Sequence, residues 1–123
     1  SQYSKKKSQV YVLNKNLEII EKLDDFGECS HDILFHKSIM YVCDSLNSRI
    51  LDSERKEVFK SNKFLRGFKK FEDNFFILGG SDYNERAKRT STNAYINILD
   101  NNFKLIKNLE IRGIGPLFDI LVI

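Results

Sequence analysis

Apolar residues in this chain fall in short runs cut by clusters of Asn, Asp, Ser and Gly. No stretch of a dozen residues sustains the i, i+3, i+4, i+7 spacing of an amphipathic helix, and no capping signals frame one. Eleven runs rich in β-branched and aromatic residues take its place, at 10–13, 17–23, 32–35, 39–43, 49–51, 57–59, 64–68, 75–78, 95–99, 103–109 and 117–123. That spacing predicts an all-β chain. Runs 39–43 and 75–78 are apolar at consecutive positions, which suits strands covered on both faces. A two-layer sandwich, with one face of each strand in water, would alternate more cleanly.

The turns predict hairpins. Asn14-Lys15-Asn16, Asp52-Ser53-Glu54-Arg55 and Asp100-Asn101-Asn102 each separate two runs and each follow a leucine: Leu13, Leu51 and Leu99. Asn and Asp tolerate the φ > 0 positions of tight turns. Sliding the chain on itself by 86 residues lays 10–23 over 96–109, and all seven apolar positions of the first segment (Val10, Val12, Leu13, Leu17, Ile19, Ile20, Leu23) meet apolar residues. A degenerate third copy spans 50–59. The segment after each copy repeats too: Ser30-His31-Asp32-Ile33-Leu34, Phe64-Leu65-Arg66-Gly67-Phe68 and Leu117-Phe118-Asp119-Ile120-Leu121. His31 and Arg66 lie 35 apart, and Ser45 and Ser81 lie 36 apart. Four strands in about 35 to 48 residues make the size of one β-propeller blade. The expectation is therefore a partial β-propeller of about two and a half four-stranded antiparallel blades. A flexible segment covers 1–9, an outer half blade 10–23, full blades 31–60 and 64–109, and the innermost strand of a further blade 117–123.

The stretch from His31-Asp32-Ile33 to Tyr41-Val42-Cys43-Asp44-Ser45-Leu46-Asn47-Ser48-Arg49-Ile50 resembles the NHL repeat, over about a fifth of the chain. Gly80-Ser81 lacks the Asn-x-Arg-Ile that follows in that pattern. Over 30–123 the chain is more similar to a group of uncharacterised bacterial six-bladed propeller proteins. The likeness rests on Phe64-Leu65-Arg66-Gly67, on Leu78-Gly79-Gly80-Ser81 with Arg86 and Arg89, and on Leu117-Phe118-Asp119-Ile120. This resemblance implies a fold and says little about activity. In NHL-like blades the counterparts of Asp44, Ser45, Asn47 and Arg49 brace turn backbone and neighbouring blades, so a structural role is implied for these four, and for Ser81 at the equivalent place.

With 123 residues, 41% of them hydrophobic, and a single proline, a disordered or collagen-like chain is excluded. No apolar run approaches the roughly 18 residues a membrane helix needs, and Lys5-Lys6-Lys7 leads into no apolar signal block. Twenty basic against seventeen acidic residues leave +3, too mild to imply nucleic acid or an anionic surface. Two cysteines, Cys29 and Cys43, make no disulfide framework, so a reducing, cytoplasmic setting is expected. An arc of blades leaves a ring open. The expected partners are further blades upstream of Ser1 or a second copy of the chain, whose 10–23 half blade the 117–123 strand would complete.

Innermost strands line a propeller channel, which makes His31, Asp32, Arg66 and Asp119 the first ligand-binding candidates. Ser81, Arg86 and Arg89 join them, since the polar insertion 82–93, which also holds Tyr83, Glu85 and Lys88, sits where specificity loops sit. No Gly-x-Ser-x-Gly elbow or phosphate loop is present. His31 and His36 lack zinc spacing, and sugar-lactone-hydrolysing propellers hold calcium with a glutamate at the start of an innermost strand, where these three strands have none. No metal or cofactor is therefore expected. The leading expectation is a non-catalytic binding or scaffolding propeller that presents loops to a protein, peptide or glycan. The alternatives are a channel-site hydrolase or lyase on a sugar-related substrate, with His31 as base and Asp32 or Asp119 as metal ligands, and an RNA-binding face of the NHL type.

Overall fold

One hairpin is built three times. The computed structural model describes residues 6–83 and 92–123, and among these β1 (Val10–Leu13) pairs antiparallel with β2 (Ile19–Leu23) as the first copy. The second copy is β5 (Arg49–Leu51) with β6 (Glu57–Lys60), and the third is β9 (Ala94–Asp100) with β10 (Leu105–Ile111). Val10 faces Leu23 and Leu13 faces Ile19; 86 residues on, Ile96 faces Leu109 and Leu99 faces Leu105. The middle copy matches at Leu51 and Glu57, and all three bulge at this last pair or beside it.

The turns are one structure as well. Asn14 Oδ1 accepts from the N–H groups of Asn16 and Glu18, Asp52 Oδ1 from Glu54 and Lys56, and Asp100 Oδ1 from Asn102 and Lys104, all at 2.8–3.1 Å. Each turn then places a non-glycine residue in the left-handed region: Leu17 (φ 63°), Arg55 (φ 66°) and Phe103 (φ 63°). An Asx oxygen that takes two turn donors over-determines this backbone, which is why a residue with a side chain is tolerated there.

Two of the outer hairpins carry an inner hairpin: β3 (His31–His36) with β4 (Ile39–Asp44), and β7 (Phe64–Phe71) with β8 (Phe75–Ser81). The sheet orders are β3-β4-β5-β6 and β7-β8-β9-β10, with β1-β2 as a two-stranded sheet and no helix among the described residues. The chain is an all-β partial propeller.

The sheets pack face to face along the chain. Met40 and Val42 of β4 join Val10 and Phe26 in one buried cluster, while Tyr41 and Cys43 of the same strand join Leu65, Phe68, Phe76, Leu78 and Leu99 in another. A strand with a blade on each side buries both faces, which accounts for the consecutive apolar residues at 39–43. Each fully buried Leu or Phe contributes roughly 1.5–3 kcal/mol. Residues 6–9, expected as part of a flexible segment, are tied down where described: Lys7 bridges to Glu28, Ser8 N donates to Gly27 O, and Ser8 O accepts from Phe26 N. Residues 117–123, expected as an innermost strand, form no strand and have no ladder partner among the described residues, and they lie against the last sheet beside Gly67, Gly79 and Ile77. They are anchored by the N–H of Leu117, which donates to Ser81 Oγ at 2.8 Å.

Candidate functional site

The innermost strands β3 and β7 lie side by side, and both start with the same irregularity. β3 pairs His31 with Cys43 and Ile33 with Val42, leaving Asp32 as a bulge at φ 63°. β7 slips between Leu65 and Phe68, with Gly67 at φ 84°. Asp and Gly are among the residue types that tolerate this region, so the bulge recurs across blades on dissimilar residues. The equivalence aligns His31 with Arg66 and Asp32 with Gly67, and carries on to Phe118 and Asp119.

His31, Arg66 and Phe118 therefore occupy one level on three adjacent inner segments. The Arg66 guanidinium lies 5.1 Å from the Phe118 ring centroid, and among the described residues it makes no ion pair. His31 Nδ1 is 3.0 Å from Ser45 Oγ, and its ring meets Phe64 edge-on at 5.9 Å. Burial and then the nearby Arg66 charge hold its pKa below the ordinary histidine value, so His31 is neutral at pH 7.

The carboxylates one step along are committed to backbone. Asp32 Oδ2 accepts from Gly67 N at 2.7 Å, and Asp119 Oδ1 accepts from Ile120 N at 2.8 Å with Lys69 Nζ at 3.5 Å. The Ile120 hydrogen bond first, and Lys69 after it, hold the Asp119 pKa below the usual carboxylate range. Gly67 is boxed in, because a Cβ there would sit 3.2 Å from Leu117 and 3.3 Å from the Asp119 backbone.

Asp44, fully buried, accepts from Glu28 N at 2.8 Å, from Asn47 Nδ2 at 3.1 Å and from Arg49 Nε at 2.7 Å. It fills the space a Cβ at Gly27 would need, and Gly27 sits at φ 79°. Asp44, Asn47 and Arg49 thus tie the turn after β4 to the linker from the preceding hairpin, while Ser45 turns to His31. Ser81, in the place equivalent to Ser45, holds the tail instead. Arg86 and Arg89, with Glu85 and Lys88, lie outside the described residues. Tyr83, at the start of that insertion, reaches back across the blades: its hydroxyl is 2.5 Å from Ser48 Oγ and donates to Leu46 O at 2.8 Å. The structure brings together His31, Arg66, Asp32 and Asp119 near one end of the inner strands, and adds Phe118, Phe64 and Lys69, which sequence reasoning did not single out. The equivalence of Phe118 with Arg66 was the signal available for the first of these.

Among the described residues no group of three His, Cys, Asp or Glu could hold a metal, and no helix is long and apolar enough to cross a membrane. Cys29 and Cys43 form no disulfide among the described residues, and burial pushes Cys43 up to about 12, leaving it inert. No protein-family model matches the chain, and no curated protein matches it.

Proposed function

We propose that this chain is part of a non-catalytic binding propeller whose inner-strand rim takes the anionic group of a peptide or glycan partner. The observation that carries this reading is Arg66, a partly buried residue whose guanidinium lies 5.1 Å from the Phe118 ring centroid and makes no ion pair among the described residues, with the Asp119 carboxylate near enough to feel its charge. A planar cation backed by an aromatic ring, beside a neutral histidine, suits a carboxylate or sulfate approached in-plane. The hydrogen bonds that Asp32 Oδ2 accepts from Gly67 N and Asp119 Oδ1 accepts from Ile120 N support binding over channel hydrolysis, which would need one of these carboxylates directed at a metal.

The test titrates the chain with a polyglutamate peptide and with a heparin oligosaccharide. Arg66→Gln is expected to weaken the bound probe at least about tenfold, as loss of a charge-assisted pair does, at unchanged thermal stability. Adding Arg86→Gln and Arg89→Gln extends the loss if the insertion shares the contact. Unchanged affinity in Arg66→Gln, or no binding of either probe, overturns the site. Steeply salt-dependent binding of single-stranded RNA in their place moves the reading to the RNA face.

A further inference from the structure

The two junctions between consecutive blades share one frame and are filled differently. At the first, the buried Asp44 of β4 fits against Gly27 of the linker and pairs with Arg49. At the second the parts are exchanged. Gly80, 36 residues after Asp44, is the small residue on the strand, and Lys63, 36 after Gly27, brings the side chain from the linker. A Cβ at Gly80 would lie 3.1 Å from Lys63 Cβ. Lys63 Nζ reaches Asp82 Oδ1 at 2.6 Å and lies 4.2 Å from the Tyr95 ring centroid, while the Tyr95 hydroxyl donates to Asp82 Oδ2 at 3.3 Å.

Arg49 is replaced as well. β5–β6 and β9–β10 pair at the same level, Arg49 facing Lys60 and Asn97 facing Asn108. β9–β10 thus carries two amides where β5–β6 carries two cations. Asn97, 5% exposed, is fully engaged: its Nδ2 donates to Leu78 O at 3.1 Å, and its Oδ1 accepts from Asn108 Nδ2 at 2.6 Å. That bond fixes the plane of the Asn108 amide and leaves its Oδ1 and second N–H unpaired among the described residues.

β6, the linker 61–63 and β9–β10 enclose a groove of about 550 Å3, within the range of about 300–1,000 Å3 that small-ligand sites occupy. Both walls belong to consecutive blades of this chain, so a blade added at either end of the arc would stack elsewhere. Both lysines on the groove are engaged, Lys60 with Asn47 O at 2.5 Å and Lys63 with Asp82. What remains for a ligand is the amides of Asn62 and Asn108 and the apolar carbon of Phe59 and Leu105.

We infer that this groove is a sugar site, taking a neutral pyranose unit of a glycan with Asn62 and Asn108 on its hydroxyls and Phe59 and Leu105 against its C–H face. A sugar hydroxyl both donates and accepts, and a side-chain amide offers one group of each kind in a fixed plane. A phosphate or carboxylate fits less well, because amides carry no charge to meet it. Holding Asn108 in place through Asn97 removes part of the ordering cost of binding. The groove shares no lining residue with the Arg66 rim, and the inference does not depend on the reading given to that rim.

The test titrates the 123-residue chain with maltotriose, cellotriose and chitotriose and follows the side-chain amide signals of Asn62, Asn97 and Asn108 by NMR. At least one trisaccharide is expected to shift Asn108 and Asn62. Asn108→Ala is expected to weaken that sugar at least about tenfold, as loss of a fixed polar partner does, with the circular dichroism of the sheets unchanged. Asn62→Ala, which touches neither Asn97 nor the sheet ladder, is expected to weaken it at least about threefold. Lys107→Ala, on the opposite face of β10, is expected to bind as the wild type does. No shift with any of the three sugars, unchanged affinity in Asn108→Ala and Asn62→Ala, or an equal loss in Lys107→Ala would each overturn the proposal. Displacement of the sugar by a polyglutamate peptide would make the groove a peptide site and overturn it too.

Discussion

The carboxylate of Asp32 and the backbone N–H of Gly67, 35 residues apart, meet at 2.7 Å, and both residues sit in the left-handed region of the backbone. Each is the bulge of its own inner strand. The bond therefore joins two irregularities, and it fixes the height of one blade relative to the next.

Removing that bond should loosen the arc. Asp32→Ala leaves the Gly67 N–H without its acceptor and forces alanine to φ 63°, for a combined loss of about 2–3 kcal/mol. Asp32→Asn keeps an acceptor oxygen and a residue type at ease with positive φ, so its loss should stay below about 1 kcal/mol. Urea unfolding of the two variants separates them, and equal losses would mean that the contact carries no stability.

Gly67→Ala tests the other partner. The substitution brings left-handed strain of about 1–2 kcal/mol and a Cβ against Leu117 and the Asp119 backbone, which the tail must move to accommodate. Faster hydrogen exchange at Leu117 N, whose bond to Ser81 Oγ anchors the tail, is the expected signature. Unchanged exchange there would place the tail elsewhere in solution.

How much of this was readable beforehand depends on whether a contact is local. The outer hairpins were legible because their turn chemistry lies within five residues, as in Asp100 with Asn102 and Lys104, and the 86-residue self-match falls on the observed pairing of Ile96 with Leu109. Phe103 and Arg55 were not legible as contacts to the elements before them. Their φ > 0 carries no glycine to betray it, and their partners Tyr41 and Phe26 are 62 and 29 residues away. The shared bulge was hidden for a different reason, since Asp32 and Gly67 have no side-chain chemistry in common. Run 117–123 has the composition of a strand but pairs with none among the described residues, because a ladder needs a neighbouring strand that composition does not reveal.

Asp44 is the buried charge on which the first full blade turns. It is 0% exposed and paired with Arg49 at 2.7 Å. Asp44→Asn leaves Arg49, whose side chain is 33% exposed, facing a neutral amide, and the loss of this charge-assisted contact costs about 1.5–3 kcal/mol. Asp44→Asn combined with Arg49→Leu should recover part of that loss. A double variant no more stable than Asp44→Asn would show that the carboxylate acts through Glu28 N and Asn47, and not through Arg49.

His36 contributes to the pH dependence of the fold. It closes β3 beside the Lys37–Ser38 turn and is 6% exposed, with its ring edge-on to Phe76 at 5.0 Å and both ring nitrogens without a hydrogen-bond partner among the described residues. Burial, then Lys70 on β7, then Lys37 push its pKa below 6.5, with Asp73 of the β7–β8 turn opposing weakly. The unfolded chain therefore takes up a proton at higher pH than the folded one. The resulting stability is fully present above pH 6.5 and declines as pH falls from there through the lower folded-state value. His31, shifted the same way, adds to this slope with the same sign. His36→Leu should reduce the loss of melting temperature between pH 7 and pH 5, and changing His31 as well should reduce it further. A slope that survives both substitutions unchanged would assign the acid sensitivity to the carboxylates.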